Sequence, residues 1–205
     1  MFPETPMIKI KQGEPSNERK IEVIADHFKK IMQTLNLDLS NDSLENTPLR
    51  VAKMYVNEIF SGLQGSNFPK ITTQDNSFKY DQMLIEKGIE INSVCEHHFV
   101  PIIGSCHIAY IPKDTVIGLS KLNRIAQYYA SRPQVQERLT EQIKCKLVEI
   151  LQTDDVAVCL DASHMCVKMR GIKDSNCITR TTSIGGLFKT SQETRIEFLT
   201  AIGKI

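Results

Sequence analysis

The chain has 205 residues, which is enough for one domain with a sizeable core or for two small ones. It holds 25 Lys and Arg against 24 Asp and Glu, a formal net charge of +1, so bulk charge excludes a general nucleic-acid binder. No apolar run approaches the roughly 20 residues that cross a membrane, and the N-terminal residues lack the features of a secretory signal. We therefore expect a cytoplasmic protein whose six scattered cysteines are thiols.

The N-terminal part of the chain is predicted to be helical. Residues 1–17 carry three prolines and little periodicity, which predicts a flexible arm. Apolar residues at helical spacing over 18–35 predict a first helix. A second helix is predicted to begin at Thr47-Pro48, with Thr47 as the N-cap and Pro48 in the first turn. The following stretch, 62–76, is predicted to be a loop.

The rest of the chain alternates pairs of strands with helices. Segments rich in β-branched and aromatic residues predict four strands, at 83–94, 98–111, 155–167 and 178–184. Apolar stripes predict a helix that opens at Gly118 and is interrupted at Arg132-Pro133, a helix over 135–151 and a last helix over 191–202. This order predicts an α+β fold. We divide the chain into the arm (1–17), an N-terminal helical region (18–80) and a domain that holds the sheet (81–205).

The motif Cys95-Glu96-His97-His98 lies between the first two predicted strands, which we expect to be antiparallel neighbours. Its C-x-x-H spacing lets one turn of backbone direct Cys95 and His98 at a single metal ion. Two ligands do not complete a site, so the rest of the chain must supply at least one more. Glu96 receives no role from the pattern.

The third predicted strand ends in His164-Met165-Cys166 and supplies the missing ligand. Residues two apart on a strand point to the same face, so His164 and Cys166 are predicted to project together. Cys95, His98 and Cys166 form a set suited to Zn²⁺, and three protein ligands leave a fourth position for water, as in catalytic zinc sites. The remaining histidines, His97 and His164, could move protons near neutral pH.

A structural zinc site is the alternative interpretation. It requires a fourth protein ligand, and spacing leaves four candidates open: Cys106, His107, Cys159 and Cys177. A buried free cysteine is also common without any metal.

No phosphate-binding loop of the Walker type and no dinucleotide-binding glycine motif occurs in the chain. Phosphate groups could instead be held by basic side chains near a helix N-terminus that carries Ser120. The candidates are Arg50, Lys53, Lys121, Arg124 and Arg170.

Several segments, taken together and in order, closely resemble the GTP cyclohydrolase I family. They are 50–54 (RVAKM) after Thr47-Pro48, 95–100 (CEHHFV), 109–113 (AYIPK), 118–121 (GLSK), 132–139 (RPQVQERL), 164–168 (HMCVK) and 181–188 (TTSIGGLF). The resemblance covers the chain from about residue 18 to its C-terminus. It implies the tunnelling fold (T-fold), whose four-stranded antiparallel sheet carries two helices between its second and third strands. It also implies a homodecamer of two stacked pentamers, with active sites between neighbouring subunits.

The resemblance further implies a role for each candidate residue. Zinc is held by Cys95, His98 and Cys166, and its bound water attacks C8 of the guanine of GTP. His164 protonates N7 and opens the ring, and His97 assists the loss of formate. The remaining expected roles are guanine binding by Glu137 with Gln136, ribose contact by Ser120, and triphosphate binding by Arg50, Lys53, Lys121, Arg124 and Arg170.

The expected product is 7,8-dihydroneopterin triphosphate, at the entry to folate or tetrahydrobiopterin synthesis. A member of the fold that binds nucleotide without turnover is the second alternative. The presence of the whole ligand set and of both histidines argues against it.

Overall fold

Eight α-helices lie in the part of the chain that this computed structural model describes, which is residue 13 and residues 15–203. They are α1 (Asn17–Thr34), α2 (Asp42–Glu45), α3 (Thr47–Met54), α4 (Leu119–Ala130), α5 (Gln136–Leu151), α6 (Met165–Lys168), α7 (Gly186–Thr190) and α8 (Gln192–Ala201). A π-helical turn, Tyr55–Ile59, continues α3, and 3₁₀ turns follow at Ser61–Leu63 and Gly65–Asn67. Most of the predicted flexible arm lies outside the described residues.

Seven strands form two sheets within the described residues. They are β1 (Thr73–Asp75), β2 (Leu84–Cys95), β3 (Pro101–Tyr110), β4 (Thr115–Ile117), β5 (Pro133–Gln134), β6 (Val156–His164) and β7 (Thr179–Ile184). β1 and β4 form a small antiparallel pair, and the main sheet has the order β5-β2-β3-β6-β7. The neighbours from β2 to β7 are antiparallel, and α4 and α5 lie between β3 and β6 in the chain. The prediction of an α+β fold is confirmed.

The main sheet has five strands instead of the predicted four. The additional strand is β5, which pairs in parallel with Val94 and Cys95 at the end of β2. Two residues cannot show an alternating pattern, so Arg132-Pro133 revealed only the end of a helix. β1 falls inside the predicted loop 62–76 for the same reason.

The core lies on both faces of the main sheet. In β6, Val158 and Leu160 belong to a large cluster with α4 and α5, while Ala157 and Cys159 belong to a smaller cluster under α7 and α8. Successive residues of a strand point to opposite faces, so an unbroken apolar run indicates a strand that is covered on both sides. Each fully buried Leu or Ile of this core contributes about 1.5–3 kcal/mol.

The N-terminal helices attach to the sheet region through a close backbone contact. The Gly62 amide donates to the Ser131 carbonyl over 2.9 Å, and the Arg132 Nε atom donates to the Gly62 carbonyl over 2.7 Å. A Cβ atom at Gly62 would lie 2.2 Å from the Tyr128 carbonyl oxygen, so only glycine permits this approach. Within the N-terminal part, the prediction of Thr47 as an N-cap is wrong. Thr47 is already helical, because α2 and α3 are separated by a single residue.

Candidate metal centre

A tight turn between β2 and β3 carries the predicted metal-binding motif. The Cys95 amide donates to the Val100 carbonyl, and the Phe99 amide donates to the Cys95 carbonyl, each over 2.9 Å. The antiparallel pairing that these bonds close was predicted from the sequence. Cys95 is buried at the end of the strand, while His97 and His98 are exposed in the turn.

Phe99 gives this turn its shape. Its φ angle is +52°, in the left-handed region, which costs an L-residue of this size about 1–2 kcal/mol. Its ring packs against Phe60 at 5.2 Å and Tyr55 at 6.3 Å between centroids. The π-helical turn that follows α3 therefore supports the strained residue next to His98.

Cys166 reaches the motif by a route that the sequence did not predict. The chain leaves β6 at His164 and enters α6 at Met165, so the prediction that His164 and Cys166 share one strand face is wrong. His164 is opposite Ile102, in the last pair of the β3–β6 register. Beyond that pair the backbone has no strand partner on β3, and a helical turn carries Cys166 to the metal-binding motif.

The predicted ligands nevertheless converge. Cys95, His98 and Cys166 are the one group of three metal-binding side chains found among the described residues, and their ligand atoms lie within 4.8 Å of one another. The Sγ atom of Cys95 is 4.0 Å from Nδ1 of His98. Two thiols and an imidazole could hold a soft or borderline metal ion.

Burial raises the pKa of the Cys166 thiol, and the adjacent Cys95 raises it further, against the lowering effect of Arg170. A bound metal ion would favour the thiolate form of Cys166. Arg170 also contacts His98, with Nη1 2.9 Å from Nε2. It is the member of the predicted basic set that contacts a metal ligand within the described residues.

The other candidate phosphate-binding residues lie on two separate helices. Arg50 and Lys53 are exposed on α3, and Ser120 and Arg124 are exposed in the first half of α4. The fifth, Lys121, donates from Nζ to the Lys70 carbonyl over 3.0 Å.

His164 is held by Gln136, the first residue of α5. The Gln136 side chain is buried, and its Nε2 atom donates to the carbonyls of Leu160 and Thr179, each over 2.9 Å. These two acceptors fix the amide, so its Oε1 atom faces His164 Nε2 at 2.6 Å. An amide oxygen only accepts, so His164 carries a proton on Nε2, and Nδ1 is the nitrogen left for proton exchange.

The charge state of His164 is set by burial and by Glu137. Desolvation lowers the pKa of His164, and the nearby Glu137 carboxylate opposes this effect without overcoming it. Glu137 is exposed in the first turn of α5. The structure therefore brings both predicted guanine-binding residues close to His164.

Sequence reasoning gave no role to an ion pair beside the motif. Arg138 Nη2 donates to a carboxylate oxygen of Glu96, and Arg138 Nε donates to Gln134 Oε1 over 3.1 Å. Glu96 and Arg138 are 42 positions apart, so no local pattern connects them. Both residues stand inside segments that carry the family resemblance, and this was the only available signal.

The four candidates for a fourth metal ligand lie outside the group. Cys106, His107 and Cys159 are buried in the sheet, and burial raises the pKa of the Cys106 thiol well above its usual range. Cys177 is partly exposed in the segment between α6 and β7. The group therefore has the three-ligand composition expected of an open site.

None of the helices in the described residues combines the length and the apolar character needed to cross a membrane.

Comparison with known proteins identifies the family. Residues 24–203 match the family model described as GTP cyclohydrolase I. The chain is 59% identical over 190 residues to GTP cyclohydrolase 1 of Enterobacter sp. (strain 638), covering 93% of this chain and 86% of that protein. It is 58% identical over 199 residues to GTP cyclohydrolase 1 of Salmonella arizonae, covering 97% of this chain and 89% of that protein. The chain belongs to the GTP cyclohydrolase I family.

Proposed function

We propose that this member of the GTP cyclohydrolase I family holds a zinc ion on Cys95, His98 and Cys166 and acts there on GTP. The reaction is the hydrolytic opening of the guanine imidazole ring, followed by release of formate and rearrangement to 7,8-dihydroneopterin triphosphate. It is the first step of pterin and folate synthesis, and we place the enzyme in the cytoplasm. The observation that carries the proposal is the convergence of the three ligands beside His164.

The chemistry of the ligand set, two thiols and one imidazole, fits zinc. Tetrahedral zinc, with bonds of about 2.3 Å to sulfur and 2.0–2.1 Å to nitrogen, holds its ligand atoms roughly 3.5–3.8 Å apart. Cys95 Sγ and His98 Nδ1 are 4.0 Å apart, and all three ligand atoms lie within 4.8 Å of one another, so the side chains would move slightly closer together around a bound ion. A bound zinc ion supplies an acidic water and stabilises negative charge.

His164 and His97 are the proton-transfer residues of the proposal. His164 donates from Nε2 to Gln136, so its Nδ1 atom exchanges the proton with N7 of the guanine as the ring opens. His97 is exposed in the metal-binding turn, with Nδ1 3.8 Å from Cys95 Sγ, where it can act in the loss of formate.

Glu137 anchors the guanine in this proposal. A carboxylate can accept hydrogen bonds from both the ring N–H and the exocyclic amino group, and Glu137 is the exposed carboxylate whose charge acts on His164. Gln136 takes part through His164, because its buried side-chain amide is already engaged with protein groups.

The triphosphate requires several positive charges, for which we propose Arg170, Arg50, Lys53, Lys121 and Arg124, with Ser120 near the ribose. Arg170 lies against the metal centre, whereas the other residues lie on α3 and α4. We propose that a neighbouring subunit completes the site. The assembly is then a decamer of two pentamers of T-fold subunits, in which residues 18–80 form the helical region and residues 81–205 the catalytic domain.

We propose that an apolar cavity of about 710 Å³, whose lining includes Ile24, Phe28 and Phe60, takes part in the contact between subunits. Light scattering would measure the mass of the assembly directly. A monomer that is fully active would contradict the shared site.

Activity is tested by incubating the zinc-loaded protein with GTP and following the ultraviolet absorbance of the pterin product and the release of formate. Zinc-loaded protein that releases neither would refute the proposal. GTP binding without turnover would favour a nucleotide-binding member of the fold.

A further inference from the structure

We propose that the ion pair between Glu96 and Arg138 is a positioning device that holds the metal-binding turn in register with the start of α5. The inference rests on the proposed function, because the distance between the metal ligands and the residues that contact guanine matters only if zinc acts on GTP. Glu96 and Arg138 act through their neighbours and do not touch the substrate.

The Glu96 side of the pair is built into the metal-binding turn. Glu96 stands between the ligand Cys95 and the proton-transfer residue His97, and its amide donates to the Gln134 carbonyl over 3.0 Å. One carboxylate oxygen accepts from Arg138, and the other lies 3.8 Å from Nε2 of His97. A displaced Glu96 would therefore move a ligand and a proton-transfer residue together.

The Arg138 side of the pair is built into the start of α5. Arg138 follows Gln136 and Glu137, and it donates from Nε to Gln134 Oε1 over 3.1 Å and from Nη2 to the Pro133 carbonyl over 3.4 Å. One guanidinium thus connects β5, the first turn of α5 and the metal-binding turn.

The acceptor that receives Arg138 has a fixed orientation. Gln134 is fully buried, and its Nε2 atom donates to the Tyr129 carbonyl and to Gln142 Oε1, each over 2.8 Å. Its Oε1 atom is therefore left for Arg138. A planar guanidinium held by several acceptors is a rigid spacer, which a flexible lysine would not reproduce.

The alternative is an ion pair that stabilises the fold and nothing else, and the chain offers a matched control. Arg180 Nε donates to Asp161 Oδ1 over 2.7 Å between β6 and β7. Arg180 lies between Thr179 and Thr181, both of which contact Gln136. Alternation along a strand therefore directs Arg180 to the face away from Gln136. Arg180→Met removes an ion pair from the same sheet without touching the metal-binding turn.

The test compares Arg138→Met, Glu96→Gln, their double variant and Arg180→Met. Zinc affinity is measured by equilibrium competition with a chromogenic chelator, kcat and KM are measured with GTP, and melting is measured by circular dichroism. We expect each single variant to lose about 10- to 100-fold in zinc affinity or in kcat/KM, as when an outer partner of a metal ligand is removed. We expect Arg180→Met to keep the wild-type zinc affinity and kcat/KM, while its melting temperature falls about as much as that of Arg138→Met.

The double variant distinguishes a coupled pair from two separate effects. If the residues act as one unit, the double variant loses no more than the worse single variant. Losses that multiply, or single variants with wild-type zinc affinity and kcat/KM, would overturn the inference. Arg138→Lys provides the same readouts if Arg138→Met does not fold. Zinc affinity is independent of turnover, so the inference is tested even if the chain releases no pterin.

Discussion

The side-chain amide of Gln136 accepts a hydrogen bond from Nε2 of His164 over 2.6 Å, and its other end is held by two backbone carbonyls. This contact leaves Nδ1 as the nitrogen of His164 available for the proposed proton exchange. The structure thus places Gln136 in contact with His164, and its expected role in guanine binding stays a prediction.

Replacing Gln136 tests this relationship. Gln136→Met removes the hydrogen bonds that Gln136 donates to the carbonyls of Leu160 and Thr179, which destabilises the protein by about 1–3 kcal/mol, and it releases the His164 ring. We expect kcat to fall at least about tenfold while the zinc content is unchanged. Urea unfolding and initial rates of pterin formation measure the two effects.

Thr181→Val is the matched control for this change. It removes the hydroxyl that accepts from Gln136 Nε2 over 3.1 Å but keeps the contact between Gln136 and His164. Its kcat should stay within about twofold of wild type, because His164 remains oriented. Equal losses of kcat in both variants would mean that general loosening, and not the orientation of His164, limits turnover.

The roles of Cys166 and His164 are separated by metal analysis. Cys166→Ser removes one of three ligands and should weaken zinc binding more than about 100-fold, since even outer partners of a ligand account for 10- to 100-fold. His164→Ala should bind zinc normally and lose ring opening. Inductively coupled plasma mass spectrometry of the dialysed proteins measures the zinc content per chain. Comparable zinc loss in both variants would show that the ligand assignment is wrong.

Removing the metal should leave the chain folded. Of the proposed ligands, Cys95 belongs to the large core cluster and Cys166 packs against it, but most of the cluster consists of apolar side chains of the sheet, α4 and α5, such as Ile108, Leu139 and Ile143. A chelator is therefore expected to abolish activity while the far-ultraviolet circular dichroism and the mass measured by light scattering remain unchanged. Unfolding of the domain by the chelator would instead indicate a structural zinc site.

Long elements and the ligand set were predictable from the sequence, whereas short connections were not. The strands around Ile91 and Ile108 and the helix that carries Ile143 have periods that extend over many residues. Cys95, His98 and Cys166 could be grouped as one ligand set from their residue types and their two motifs, without any structure. However, the sequence His164-Met165-Cys166 is equally compatible with a strand and with the helical turn that exists.

Contacts between distant residues account for most of what was missed. Nothing near Arg180 in the sequence indicates Asp161, which lies directly opposite it on the neighbouring strand β6. In the same way, the partner of Glu96 is evident only in the fold, where the pairing of β5 with β2 brings Arg138 next to it. These contacts form when strands pair, and local patterns in the sequence do not predict them.

The strand pair β3–β6 depends on glycine at one position. Gly104 is opposite Ala162, and a Cβ atom there would lie 2.0 Å from the Asp161 carbonyl oxygen and 2.6 Å from the Ala162 Cα atom. Gly104→Ala must push two central strands apart, so we expect a loss of about 3 kcal/mol or more in the free energy of unfolding. Gly65→Ala, where a Cβ atom meets nothing within 4 Å, is the control and should change it by less than about 1 kcal/mol. Urea unfolding of both variants measures the difference.

Glu141 on α5 should make stability depend on pH in the acid range. Burial alone raises the pKa of its carboxyl group, but hydrogen bonds from Lys144 and Ser183 outweigh that effect and hold the pKa below the ordinary value of 4.5. A group whose pKa is lower in the folded state stabilises the protein above pH 4.5, and the contribution is lost as the pH falls through the folded-state pKa.

Glu141→Gln tests the sign of this dependence, because glutamine resembles the protonated acid. We expect the variant to be less stable than wild type at pH 7, and the difference to shrink steadily below pH 4.5. Urea midpoints at several pH values provide the measurement. Glu149→Gln is the matched control, since Glu149 forms an exposed ion pair with Lys146 on the same helix and such pairs contribute little. A deficit in Glu141→Gln that stayed constant down to pH 3 would show that shape, and not charge, accounts for the contribution of Glu141.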